Sequence, residues 1–406
     1  MDTLLKGGVV YPVAAAPVRD GAIAVHKGLI EAVGHASDFQ ERDFDEVISL
    51  SGQTLTPGFV NAHSHLQFSA ARGKIPRGLS FADWIRRVIA FNASATAEEI
   101  FRGVEEGVAE MIATGTTSVA DVASDVRCSR LVARSKLGSV CFAEVIEPRE
   151  EEADGAFKGA AARISEMRKT GAKPGLSPHA PYTVSLRLFA SLKSLAREES
   201  LPLMLHLAET AEEDEFIRRG TGDLAGLLAE RGNKPGSFKA HQKSPVRLLG
   251  DAGLLDDALA VHLNTVDESE LDVLAASRAT PVFCPGSSWW FGRHKVMPLD
   301  AMFEAGMRPA IGTDSLASNH SLSMLEELRR AAEYFPSIKR GRLMEAATLN
   351  GARALGLNCG SIEKGRRADI ISFKGEDFGG RLDSVFGAKR PEFVMINGVR
   401  MNAENP

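Results

Sequence analysis

The sequence predicts a (β/α)8 TIM barrel joined to a small β-sandwich domain built from both ends of the chain. Three observations carry that expectation. Between Phe59 and Asp314, short apolar runs alternate with longer stretches of helical period. Eight such runs occur there, FVNAHSH, TTSVADV, SVCFAEVI, KPGLSPHAPY, LPLMLHLAE, ALAVHLN, TPVFCPG and RPAIGTD, and eight strands close a parallel barrel. The two flanks read instead as short strands separated by glycines and polar turns. A doubly wound open sheet is the alternative, but no G-x-G-x-x-G follows the first strand.

Taken in order, residues 1–56 hold three strand-like segments, LLKGGVVYPV, GAIAVHKGLIEAVG and DEVISLSGQTLTPG. His26 and His35 in this part read as surface or turn residues. Pro57-Gly58 punctuates the start of the first barrel strand. The stretches AEEIFRGVEEGVAEMIATG and SLRLFASLKSLAREES have the period of barrel helices. Glu150-Glu151-Glu152 reads as a solvated helix start. After Asp314, helices are expected over Leu322–Tyr334 and Arg342–Leu355. The tail, ADIISFKG and EFVMINGVRMN, then returns to β texture. The expected division is a discontinuous β domain of residues 1–56 and 360–406 around a barrel of residues 57–359.

A chain of 406 residues with 44% hydrophobic content can bury a large core. Its 48 Lys plus Arg against 53 Asp plus Glu give a net charge of −5, which argues against a general affinity for nucleic acid. There is no signal-peptide pattern at the start and no apolar run of roughly 18 residues, so no membrane span is expected. Cys128, Cys141, Cys284 and Cys359 are widely spaced and form no C-x-x-C pair. They read as reduced residues of a cytoplasmic protein. They also exclude the cysteine-ligated type of nucleobase deaminase, which needs P-C-x-x-C.

Chemistry collects at the strand ends. His63 and His65 close the first strand, and residues two apart on a strand point the same way. His179 closes the fourth, His206 the fifth with Glu209 three residues on, His262 the sixth, and Asp314 the eighth. In a parallel barrel these ends share the face on which barrel enzymes work. One buried histidine can be a satisfied core residue; five at strand ends are hard to explain that way. His63, His65, His206 and Asp314 would give one divalent metal three nitrogens and an oxygen, leaving a position for water. Zinc leads, with ferrous iron open. Such a cation lowers the pKa of its water towards neutrality, and Glu209 can act on that water as general acid and base. As a plain structural feature, Glu209 would be a carboxylate at a helix start. His262 and Asp314 can orient the nucleophile or polarise the electrophile.

The segments PGFVNAHSH, SPHAPYT, HLAET, VHLN and GTDSLASN, in that order, resemble the amidohydrolase superfamily. The likeness is to its branch of adenosine, S-adenosylhomocysteine/methylthioadenosine, guanine and aminofutalosine deaminases and triazine hydrolases, and it covers nearly the whole chain. It implies metal ligation by His63, His65, His206 and Asp314, proton shuttling by Glu209, catalysis by His262 and substrate contact by His179. No lysine ends the fourth strand, so the bridging carboxylated lysine of dinuclear members is absent, which fits one metal. Asp83-Trp84 falls where adenosine-type members carry an acid before tryptophan, an acid that would bind a ribose.

The chain departs from its relatives after the seventh strand. Where they commonly read C-P-x-S-N, it has Cys284-Pro285-Gly286-Ser287-Ser288 and then Trp289, Trp290 and Phe291. These aromatics can stack on a flat heterocycle or serve as core or interface. Arg72, Arg149 and Arg293 are candidates for gripping a substrate carboxylate, with a solvated surface position the simpler reading of each. The leading expectation is hydrolytic deamination of an amino-purine or adenosine-type nucleoside. The alternative keeps the metal and changes the leaving group to that of an amide, imide or chlorinated triazine. A catalytically dead scaffold is disfavoured because every ligand position is filled. The expected partner is a small-molecule substrate, and a homo-oligomer is compatible with the sequence.

Overall fold

The computed structural model describes residues 2–234 and 238–401. The eight apolar runs are strands: Phe59–Ser64, Thr116–Ala123, Gly138–Val145, Lys173–Pro178, Met204–Leu207, Leu259–His262, Thr280–Phe283 and Ala310–Ile311. The first four pair in parallel in chain order, and so do the last four. Parallel bridges at Leu176–Leu203 and Ser64–Asp314 join the two sheets at both seams and close the ring.

Along the third strand Val140 and Phe142 face the interior, where they belong to one cluster with Val60, Ala62, Val122, Met204 and Val261. Cys141, Ala143 and Val145 face the layer shared with the helices. Both faces are therefore buried, and the strands read as continuous apolar runs rather than alternating ones. Phe142 is fully buried, so its truncation to alanine would cost about 3–5 kcal/mol.

The outer helices start where the sequence supplies caps. Thr96 and Glu99 form a capping box for Ala97–Ala113, and Ser185 caps Leu186–Glu198. The later helix expected over Leu322–Tyr334 runs Met324–Tyr334. That expected over Arg342–Leu355 is instead two, Arg340–Ala347 and Leu349–Ala354. The break is at Thr348 (φ −137°, ψ −86°), whose hydroxyl donates to the Met344 carbonyl at 2.6 Å. A threonine side chain that offers the backbone a local bond competes with the helix ladder. Among the described residues no helix is long and apolar enough to cross a membrane.

The flanking segments form one eight-stranded sheet, in which Glu46–Pro57 pairs antiparallel with Ile370–Lys374. Ile370, Phe393 and Met395 turn inward on Leu5, Ile23, Val25 and Leu55. Their neighbours Ile371, Phe373, Val394 and Ile396 turn the other way and join the barrel's outer layer. That period of two lets one sheet serve two cores. Gly58, between this sheet and the first barrel strand, has no room for a side chain: a Cβ there would lie 2.2 Å from Thr117 Cγ2.

Candidate metal and active site

His63 lies at the end of the first barrel strand and His65 just beyond it, their ring centroids 4.9 Å apart. Backbone docking from the eighth strand fixes the pair. The amides of Thr313 and Asp314 donate to the His63 carbonyl at 3.0 and 3.1 Å, and Asn61 Nδ2 donates to the Thr313 hydroxyl at 2.8 Å. Gly312 makes this approach feasible, since a Cβ there would stand 2.8 Å from the His63 Cβ. His206 arrives from the fifth strand, and its ligating nitrogen lies within 4.8 Å of those of His63 and His65.

Hydrogen bonds orient the rings. His206 Nδ1 donates to the His179 carbonyl at 3.0 Å, and His63 Nδ1 faces Met204 Sδ at 3.1 Å. Each Nε2 therefore keeps its lone pair for the common centre. His65 Nε2 is 3.3 Å from His206 Nε2, and Asp314 Oδ1 is 3.7 Å from His63 Nε2 and 4.0 Å from His65 Nε2. Tetrahedral donors held about 2.1 Å from a cation stand about 3.4 Å apart, so the spacing fits a divalent metal. Burial pushes the pKa of His63, His65 and His206 down, which leaves neutral imidazoles ready to ligate. His63 Nε2 is buried with no hydrogen-bond partner among the described residues, an orphan that an ion would satisfy. Asp314 Oδ2 accepts from the hydroxyls of Ser287 and Ser318, both at 2.8 Å, which steadies the carboxylate.

The backbone bends sharply where these side chains leave the strands. Ala208, His262 and Asp314 have φ of 50°, 78° and 58°, a left-handed conformation that costs of order 1–3 kcal/mol each without glycine. Glu213 holds one of the bends, its carboxylate accepting from the amides of Ala208 at 3.1 Å and Glu209 at 2.7 Å. Thr210 caps the helix that carries Glu213. Glu209 thus projects from a fixed turn. Burial raises its carboxyl to about 7, against the pull of Arg293, whose Nη2 donates to Glu209 Oε1 at 2.7 Å. His262 Nε2 stands 3.7 Å from Glu209 Oε2, and burial lowers its pKa to about 3. A carboxyl that titrates near neutrality beside a neutral imidazole is suited to moving protons.

Above these groups opens a cavity of about 600 Å³, lined by His65, His179, His206, Glu209, His262 and Asp314. Phe68, Phe81, Trp84, Ile85, Val88 and Leu227 form an apolar wall. His179 Nδ1 donates to Thr183 Oγ1 at 2.7 Å, and burial keeps the ring neutral, so its Nε2 is an acceptor. Trp84 lines the cavity, its Nε1 donating to the Ala317 carbonyl at 2.8 Å.

Three expected substrate contacts lie elsewhere. Asp83, one residue from Trp84 on the helix Phe81–Ser94, points to solvent with its side chain 56% exposed and pairs with Arg86 at 2.9 Å. Trp289 and Trp290 do not line the cavity. Trp289 lies between the guanidinium groups of Arg77 and Arg330, 3.8 and 3.9 Å from its ring centre. Trp290 packs at 5.3 Å from His320. Two guanidinium groups cover the Trp289 indole, and Trp290 is buried, so neither faces the cavity. Among the arginines, Arg149 lines the cavity while paired with Glu147 at 2.8 Å, and Arg72 pairs with Glu110 outside it. Arg293 is the one whose surface reading fails: its side chain is only 14% exposed, held against Glu209. Glu144, Glu213 and Arg293 took no part in the sequence constellation; for Glu144 the inward phase of Val140 and Phe142 was a usable signal.

A closed parallel barrel whose strand ends gather neutral imidazoles, carboxylates and a deep cavity is the framework of a metal-dependent hydrolase. Comparison narrows the class: the Amidohydrolase family model matches residues 54–401, and the chain belongs to that family. A 5-methylthioadenosine/S-adenosylhomocysteine deaminase of Thermococcus kodakarensis is 31% identical over 369 residues, covering 87% of this chain and 79% of the relative. The solved adenosine deaminase of Xanthomonas campestris with bound zinc is 28% identical with a TM-score of 0.80, over 98% of this chain and 92% of that one. The Helicobacter pylori aminofutalosine deaminase in complex with methylthio-coformycin matches in fold, with a TM-score of 0.87 at 24% identity over 98% and 100% of the two chains.

Proposed function

We propose that this chain is a metal-dependent hydrolytic deaminase of adenosine-type nucleosides with methylthioadenosine, S-adenosylhomocysteine or aminofutalosine character, and that it releases ammonia. The observation that carries the reading is Glu209, a buried carboxyl titrating near 7 beside His262 and at the edge of the three-histidine cradle. The relatives' names point the same way.

His63, His65, His206 and Asp314 would hold the cation, zinc by its likeness to the zinc-bound relative, and the cation would supply the positive charge that makes the attacking water more acidic. Glu209 takes the proton that the attacking water loses as its oxygen adds to the ring carbon bearing the amine. It passes that proton to the adjacent ring nitrogen. With the second proton it assists the amine to leave as ammonia while the carbonyl forms. His262, neutral, accepts a hydrogen bond from the water or polarises the reacting carbon's substituent. His179 contacts the heterocycle, and the apolar wall with Trp84 excludes water from the site. The four cysteines, buried free thiols, suit a reducing cytoplasm.

The test is metal analysis of the purified protein with an ammonia-release screen over adenosine, S-adenosylhomocysteine, methylthioadenosine, aminofutalosine, guanine and cytosine. Ammonia from the nucleosides is expected, with about one equivalent of zinc. Release of carboxylate or chloride from amide or triazine substrates, with no ammonia from nucleosides, would replace the proposal with its amidohydrolase or chlorohydrolase alternative.

A further inference from the structure

Four carboxylates line the cavity: Glu144, Glu147, Glu209 and Asp314. Arg149 engages Glu147, Arg293 engages Glu209, and two serine hydroxyls engage Asp314. Glu144 is different. It follows Val140 and Phe142 in the inward phase of the third strand, at the end that opens into the cavity. Burial raises its carboxyl to about 7, opposed only by the more distant charge of Arg163, with no hydrogen bond from any described residue. A carboxylate in that position gains most from donors that a ligand brings.

Its surroundings indicate which donors. Ala123 and Ala143 are the last register pair of the second and third strands, and Ser124 and Glu144 each follow that pair by one residue. The hydroxyl and amide of Ser124 donate to Gln67 Oε1 at 2.9 and 3.2 Å. Those two bonds fix the orientation of the amide and leave Gln67 Nε2 as the donor on the same cavity wall. An acceptor carboxylate and an amide donor facing one cavity match hydroxyl groups, which both give and receive; an ammonium group only gives. Asp83, the expected ribose acid, is turned away to Arg86.

We propose that Glu144, with Gln67 lining the same cavity, binds the vicinal hydroxyls of the substrate's ribosyl portion, an assignment that rests on the nucleoside reading above and makes Glu144 a specificity-determining residue. The experiment compares methylthioadenosine with its 2′-deoxy and 3′-deoxy counterparts on the zinc-loaded parent, Glu144→Gln and Glu144→Ala. Steady-state kinetics and calorimetric binding are both read. Glu144→Gln should raise KM for the ribosyl substrate roughly 10- to 100-fold with little change in kcat. The parent's preference for the intact diol should vanish in Glu144→Ala. Thermal midpoints of both variants should be no lower than the parent's, because a half-buried carboxylate with no hydrogen-bond partner among the described residues is removed. Should they fall, Gln67→Leu, which changes no charge, is expected to lose the same diol preference. An unaltered preference with ammonia still released overturns the role of Glu144 and leaves the deaminase reading standing. If no ammonia is released, binding decides: diol-dependent binding lost in the variants supports the assignment, and a parent that binds neither ribosyl nor deoxy nucleoside overturns it.

Discussion

Replacing Arg293 by methionine should displace the pH profile of the enzyme rather than abolish activity. The guanidinium donates to Glu209 Oε1 at 2.7 Å from a side chain 14% exposed. A charge-assisted hydrogen bond in that setting is worth about 1.5–3 kcal/mol. At about 1.4 kcal/mol per pKa unit, losing it lifts the Glu209 carboxyl by roughly 1–2 units. Glu209 already titrates near 7, because burial raises it and Arg293 pulls it back. Only the ionised form accepts a proton from water, so the acid limb of kcat/KM should move up by the same amount. At pH 7, where the parent is already half protonated, the variant would be about 5- to 50-fold slower, recovering toward pH 9. Methionine keeps an apolar stem beside Phe291, whose ring centre is 4.7 Å from the guanidinium carbon. The assay is ammonia release from pH 5 to 10 with metal content measured in parallel. A limb that stays where it was, or a loss equal at every pH, would refute the claim that Arg293 sets the proton affinity of Glu209.

Glu209→Gln should retain its metal and lose about 10²–10⁴ in kcat; near-normal turnover would remove Glu209 from the mechanism. His206→Ala should lose bound metal and activity together, checked by elemental analysis, and a fully metallated variant would contradict its place in the cradle. Glu327 accepts from the Gly286 amide at 2.6 Å and from Asn319 Nδ2 at 2.7 Å, and burial raises its carboxyl to about 8. Between the ordinary carboxyl range and 8 the folded chain holds a proton that the unfolded chain has released, so this group's stabilisation is present at low pH and lost as pH rises. Thermal unfolding of Glu327→Gln should therefore show its deficit against the parent shrinking from pH 5 to 9, by at most about 1.4 kcal/mol per pH unit.

The barrel and the residues at its strand ends were legible because both rest on short-range pattern. Strands buried on both faces spell continuous apolar runs, and ligands that terminate them, such as His63, His206 and Asp314, stand out against that background. Asp83 and Trp84 show where such reading stops. They are adjacent in sequence, but a helix turns about 100° per residue, and this sends one into the cavity and the other to solvent. Trp289 and Trp290 likewise depend on Arg77 and Arg330, which lie far away in sequence and could not be paired with them beforehand. Arg293 was obscured for the same reason: its partner Glu209 comes from a different strand end, and nothing local distinguishes a buried arginine from a solvated one. Glu144 was the recoverable omission. The alternation Val140, Phe142, Glu144 places it inward, but in SVCFAEVI it passes for the polar end of a buried strand.

The first histidines of the cradle hang from a strand that continues Glu46–Pro57 almost without interruption, and that segment is flanked by Ile370–Lys374. Gln53 accepts the hydroxyl of Ser372 from 319 positions further along the chain. A ribosome thus delivers His63 and His65 early and their footing very late, since contacts of such long range wait for the far segment to emerge. Until then the strand that leads into His63 and His65 is paired only on its Asp2–Val10 side. A product released before Ile370 would keep all four ligands and lack one flank of the strand that leads to two of them.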